Sequence, residues 1–195
     1  MKTEEKGATL VEVFGVLTIL AIVAASAWML VSSAWNRYRL SHALSQLQAL
    51  QKGITRMYAS AGKYDDLATD AIKKVIANNI PSPDMKAGEN TLYHAMGGEV
   101  EIKNVQYTDT AEFGSASDSF TITFKDLTNK KACAEFASYS WVGNDFSNIV
   151  SITINGNKYV WPAYKLSDEK TLPITQADAM VLCEEVPLDI TWEFR

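Results

Sequence analysis

Two hydrophobic patterns divide the first third of the chain. From Gly7 to Asn36 nearly every position is apolar or small, and Glu12 is the one charged residue. Val13 to Asn36 carries no charge at all, a run longer than the roughly 20 apolar residues that cross a bilayer as a helix. From Leu40 the pattern narrows to a stripe: Leu40, Ala43, Leu44, Leu47, Leu50, Gln51 and Ile54 recur at helical spacing. No proline precedes Pro81, and Gly15 and Gly53 are the only glycines from Ala8 through Ala61. The spacing predicts one helix from Thr9 to Tyr58, about 75 Å long at 1.5 Å per residue. Its first half is apolar all round and its second amphipathic. Ala61-Gly62-Lys63 ends it.

The rest of the chain reads as a mixed α+β domain. Asp65 to Asn78 predicts a short helix with Ile72, Val75 and Ile76 on one face, closed by Pro81 and Pro83. Strand signals follow: Val100, Ile102 and an offset Val105–Tyr107 pair, then the alternation of Phe120 to Phe124. Ser151 to Trp161 predicts a hairpin with Asn155-Gly156 at its tip, because both turn positions need positive φ. Leu188, Ile190, Trp192 and Phe194 alternate toward the C-terminus as a final strand, which places Trp192 in the core. Two short helices carry the cysteines: 129–139 with Cys133, and 175–183 with Cys183, the latter opening on Thr175 and Asp178 as a capping-box variant. Phase alone does not assign Trp141 and Trp161.

Charge sharpens this division. Among the 195 residues the formal net charge is −5, which argues against a nucleic-acid partner. Between Val13 and Lys63 no acid occurs, and Arg37, Arg39, Lys52 and Arg56 are the only formal charges. Either this stretch avoids repulsion from lipid headgroups, or it is a basic stem set beside acidic heads of neighbouring copies. Cys133 and Cys183 are the only cysteines. In an exported chain an even count suggests one disulfide, the alternative being two buried thiols.

Three readings of the N-terminus compete. A secretory signal peptide has Ala25-Ser26-Ala27 as a cleavage site, but its leader is not basic and the apolar run continues beyond that site. A plain membrane anchor explains the length but neither Gly7 nor Glu12. The third is a class III signal, cut before the apolar segment. Lys6-Gly7-Ala8-Thr9-Leu10-Val11-Glu12 has its form: a polar leader, glycine at the cut, then an apolar helix with glutamate at its fifth position.

On these residues the chain resembles the type IV pilin family. The resemblance implies cleavage of the Gly7–Ala8 bond by a membrane prepilin peptidase and methylation of the new Ala8 amine. It implies that Glu12 attracts the N-terminal ammonium of a neighbouring subunit and sets axial register. A buried polar contact that fixes register is a known use of such a group. The implied fold is α+β, a long N-terminal helix packed against an antiparallel sheet. Segments follow as 1–7 leader, 8–36 membrane and polymerisation helix, 37–60 amphipathic helix and 61–195 globular head. The implied disulfide joins Cys133 to Cys183 around the hairpin. That enclosed region and the closing Asp189 to Phe194 look most like the type IVb branch, near the thin-pilus pilins of conjugative and enteric systems.

The function so implied is a pilus subunit, for adhesion, aggregation, conjugation or motility. It is held in the bacterial inner membrane with its head in the periplasm, then polymerised outside the cell. Its partners are other copies, the prepilin peptidase, the assembly platform and minor pilins. Alternatives are a minor pilin or a type II secretion pseudopilin, and, less well supported, a membrane-anchored periplasmic enzyme or sensor domain. No catalytic set assembles around His42 or His94, and neither cofactor nor metal is expected. Asp65-Asp66 and Glu184-Glu185 read as solvated surface. Asp145 and Asn148 make no calcium loop, and Gly97-Gly98 reads as a turn.

Overall fold

The computed structural model describes residues 10–79, 86–87, 91–105, 118–141, 146, 148–164 and 170–195. They fall into two compact units, 1–38 and 39–195. Helix α1, Leu10–Tyr58, contributes to both. In the first unit it is the sole described element, and the large apolar residues from Leu10 to Trp35 are exposed.

In the second unit α1 is half buried. Ala43, Gln46, Leu47, Leu50, Gln51, Ile54 and Tyr58 form its buried face, the stripe the sequence pattern predicts. Helix α2 is Asp70–Asn79, α3 is Lys130–Ala137 and α4 is Gln176–Leu182. Strands are β1 Lys86–Ala87, β2 Leu92–Tyr93, β3 Glu99–Val105, β4 Ser119–Leu127, β5 Ile149–Ile154, β6 Asn157–Val160, β7 Lys170–Thr171 and β8 Leu188–Phe194. They form one sheet in the order β1-β2-β3-β4-β8-β5-β6-β7. All pairs are antiparallel except β6 with β7.

The C-terminal strand therefore lies in the sheet's middle. Trp192 sits opposite Ile122 on one side and Ile152 on the other. Its ring packs edge-on to Phe124 at 5.1 Å and Phe136 at 5.8 Å, and lies 5.6 Å from Trp141. Both tryptophans are buried, and such pairs add to plain burial. Trp161 is half-buried against the same cluster. The hairpin tip is as expected, with Asn155 at φ 46° and Gly156 at φ 77°.

Two elements depart from expectation. Helix α2 starts at Asp70, not Asp65. Residues 65–69 are held in turns: the Tyr58 hydroxyl donates to Asp66 Oδ1 at 2.6 Å, and Leu67 N–H bonds Tyr64 O. Leu67 is then fully buried, and Thr69 Oγ1 accepts from Ile72 N–H as the cap. In α2 the core face is Ile76 with Ile72, while Val75 is 39% exposed. Tyr107, Pro81, Pro83 and Asp145 lie outside the described residues.

Candidate functional site

Glu12 lies in the first described turn of α1. Around it Leu10, Val11, Phe14, Val16, Leu17, Ile19, Leu20, Ile22 and Val23 are between 53% and 80% exposed. So extensive an apolar surface on a folded chain marks a partner or a membrane. Three of its hydroxyls are already satisfied. Thr18 Oγ1 donates to Phe14 O and Ser26 Oγ to Ile22 O, both at 2.8 Å, and Ser32 Oγ donates to Met29 O at 3.0 Å. Glu12 is different in kind. An ionised carboxylate only accepts, so it cannot close onto its own helix carbonyls. No ion pair among the described residues involves it. Gly7 and Ala8, the other two residues of the motif, lie outside the described residues.

In the head, Cys133 and Cys183 are bonded, with Cα atoms 5.8 Å apart. Cys133 lies within α3 and Cys183 is the C-cap of α4, and both helices are capped at their starts. Asn129 Oδ1 accepts from Ala132 N–H at 3.1 Å, and Thr175 Oγ1 accepts from Asp178 N–H at 3.1 Å while donating to its carboxylate at 2.7 Å. The Ser138 hydroxyl lies 2.7 Å from both Ala134 O and Gln176 Oε1, linking the end of α3 to the start of α4.

A second anchor was not legible from the sequence. The β2–β3 turn, residues 94–98, is tied to α1 through Ala95. Its N–H donates to Gln46 Oε1 at 2.7 Å, and its carbonyl accepts from Arg39 Nε at 2.8 Å. His94 is buried, stacked 4.6 Å from Phe124 with the planes 7° apart. Met96 N–H donates to its Nδ1 at 3.2 Å. The other nitrogen, Nε2, therefore carries the proton and donates to Lys125 O at 2.9 Å. Burial pushes the imidazole pKa down; the Lys125 carbonyl opposes this and the Arg39 charge adds to it. His94 is thus a neutral structural histidine.

Glu193 was also unexpected. It lies on the sheet face opposite Trp192, yet is only 5% exposed. Ser151 Oγ donates to it at 2.7 Å and Lys158 Nζ lies 3.3 Å away. Among the described residues no group of three His, Cys, Asp or Glu stands where it would hold a metal ion. Asp65, Asp66, Glu184 and Glu185 are exposed, and His42 is half-buried on α1.

This architecture has known relatives. The family model described as Bundlin matches residues 32–191. Among solved structures the fold is similar to TcpA, a type IV pilin from Vibrio cholerae El Tor biotype, at a TM-score of 0.52 and 16% identity. The superposition covers 81% of this chain and 99% of that one. No curated protein matches by sequence. The chain belongs to the Bundlin family, and with the type IV pilin fold it is a subunit of a pilus and not an enzyme.

Proposed function

We propose that this subunit is made as a precursor cut between Gly7 and Ala8, methylated on the Ala8 amine and polymerised through Glu12. The observation that carries the proposal is a lone carboxylate on an exposed apolar helix, four residues after the amine that cleavage creates. The matched family region begins at residue 32. It shares no residue with Gly7, Ala8 or Glu12, so head and N-terminal motif support the reading independently.

The physical logic runs through water. An unpaired carboxylate transferred into a low-dielectric filament core carries a large desolvation penalty, which an ammonium partner offsets. Before cleavage the nitrogen of Ala8 is an uncharged amide, and the nearest ammonium in sequence, Lys6, belongs to the leader that is removed. Processing therefore precedes assembly for an electrostatic reason. The apolar segment holds the precursor in the inner membrane with its head in the periplasm; prepilin peptidase, assembly platform and minor pilins act on it there, and the filament is extracellular. The segments are then a leader 1–7, a membrane and assembly helix 8–36, an amphipathic helix 37–60 and a head 61–195.

The type IVb branch is favoured because the Cys133–Cys183 bond encloses the β5–β6 hairpin. The same enclosed hairpin favours a fibre subunit for adhesion, aggregation or conjugation over a type II secretion pseudopilin. The test is the intact mass of chain taken from sheared fibres. Loss of Met1 to Gly7 plus one methyl group is expected. A chain that keeps its first seven residues in fibres refutes the processing scheme.

A further inference from the structure

The apolar half of α1 has unlike ends. At one end stands Glu12. At the other, Trp35 and Tyr38 stack with ring centroids 5.7 Å apart and planes inclined by 29°. Both are exposed, at 60% and 53%, and Arg37 lies between them in sequence. Aromatic rings with a polar edge settle at the headgroup level of a bilayer, where a neighbouring arginine reaches phosphate. Immediately beyond, at Arg39, the helix joins the head unit.

The distance between these ends is fixed by helix geometry. Glu12 and Trp35 are 23 residues apart, a rise of about 34 Å, against about 30 Å of hydrocarbon. An ordinary tilt of about 20° shortens the rise only to about 32 Å. With Trp35 at one boundary, Glu12 falls just outside the other. The competing anchor is Trp28, 76% exposed. It stands only about 24 Å from Glu12, which would draw the carboxylate into hydrocarbon. It would also leave Met29, Leu30 and Val31, all more than 60% exposed, among the headgroups. Between Glu12 and Trp35 no charge occurs, and the Thr18, Ser26 and Ser32 hydroxyls close on their own helix, which eases their place in hydrocarbon.

We infer that Trp35 and Tyr38 bind the outer phospholipid headgroups as a depth anchor, and that Glu12 consequently lies at the inner headgroup level while the chain is membrane-held. This rests on reading the apolar segment as a membrane span. Its consequence is that the membrane does not charge the carboxylate its desolvation penalty. That penalty is met on entry into the filament, the step at which the Ala8 amine is available to offset it.

The test uses the full chain, disulfide intact, in vesicles of phosphatidylcholine with phosphatidylglycerol. The described cysteines are both bonded, so Val11→Cys or Ile19→Cys supplies a single thiol for N-ethylmaleimide, which reacts with thiolate in water. Val11→Cys is expected to label and Ile19→Cys to be protected. In parallel, Trp35 read in a Trp28→Phe background should be quenched by lipid brominated near the headgroup. Trp28 read in Trp35→Phe should be quenched by lipid brominated deep in the chains. Protection of both thiols, or reversal of the two quenching depths, overturns the register while leaving the span. Equal labelling of both thiols shows that the segment does not span, and the membrane reading fails with it.

Discussion

Gly98→Ala tests the second anchor with the smallest possible change. A Cβ at Gly98 would stand 1.8 Å from Lys125 O and 2.7 Å from His94 Nε2. The first contact is with backbone in the middle of the sheet, so the turn must withdraw by more than an ångström. Withdrawal takes with it the His94–Lys125 bond, the His94 N–H bond to Gly98 O at 3.0 Å, and one or both ties from Ala95 to α1. Overpacking costs about 1–3 kcal/mol and each of the three or four lost bonds about 1 kcal/mol, which gives about 4–7 kcal/mol in all. Against the 5–15 kcal/mol typical of a folded domain this is a large loss. Gly156→Ala is the comparison. Nothing lies within 4 Å of its Cβ, and only the positive φ of 77° opposes it, at about 1 kcal/mol. Urea unfolding of the full chain in detergent, followed by near-ultraviolet dichroism of the buried Trp141 and Trp192, separates the two. A loss under about 1 kcal/mol at Gly98 refutes the anchor.

Four further outcomes are expected. Replacing both cysteines by serine opens a loop with a sequence separation of 50, which by chain entropy costs about 4 kcal/mol; equal melting with and without reductant refutes this. Because the pKa of His94 is lowered by folding, the unfolded chain binds more protons below about 6.5, so stability is complete above that pH and falls as pH drops toward the folded value. His94→Gln should remove that slope, measured between pH 7 and pH 5. Burial, then the Asp66 bond and charge, push the Tyr58 phenol up, so its contribution is complete below about pH 10 and lost above it; Tyr58→Phe should flatten the alkaline limb and cost about 1 kcal/mol at pH 7. Glu12→Gln keeps the shape but not the charge and should leave processed, membrane-held chain with no fibres in the sheared fraction. Normal fibre yield from that variant refutes an ion pair.

What was legible depended on range. The α1 stripe follows from a period of 3.6 and needs no partner to be seen. Asn155-Gly156 is local chemistry, and two cysteines leave one pairing. By contrast, Gln46 and Arg39 meet Ala95 across 49 and 56 residues, and nothing near either position announces the other. The α2 start was misread because Asp65 and Asp66 look like a helix opening, whereas the Tyr58 hydroxyl and the burial of Leu67 hold them in turns. Glu193 obeys the alternation that puts it opposite Trp192. Its burial arises only because β8 is central and Ser151 and Lys158 of β5 and β6 close over it. Strand order is not written in strand pattern.

Several described polar groups separate by how they are completed, and that separation is the physical basis for proposing that assembly concentrates on Glu12. In the head, His94, Glu193 and the paired Thr123 and Thr191 hydroxyls, 2.9 Å apart, find partners within the same domain. Along the apolar helix the Thr18, Ser26 and Ser32 hydroxyls complete themselves through carbonyls three or four residues back. Glu12 is the one carboxylate of the apolar stretch and can only accept; under the proposed processing, a cut before Ala8 would supply the ammonium that completes it. Side chains on a helix lean toward its N-terminus, so a copy's own amine and a neighbour's compete for the same carboxylate. Apolar packing of Leu10 to Trp35 favours many axial offsets almost equally, since Val, Leu and Ile recur throughout. Under the proposed pairing, an offset that brings an amine to Glu12 avoids a bare charge in the core, and that exclusion would set the register of the fibre.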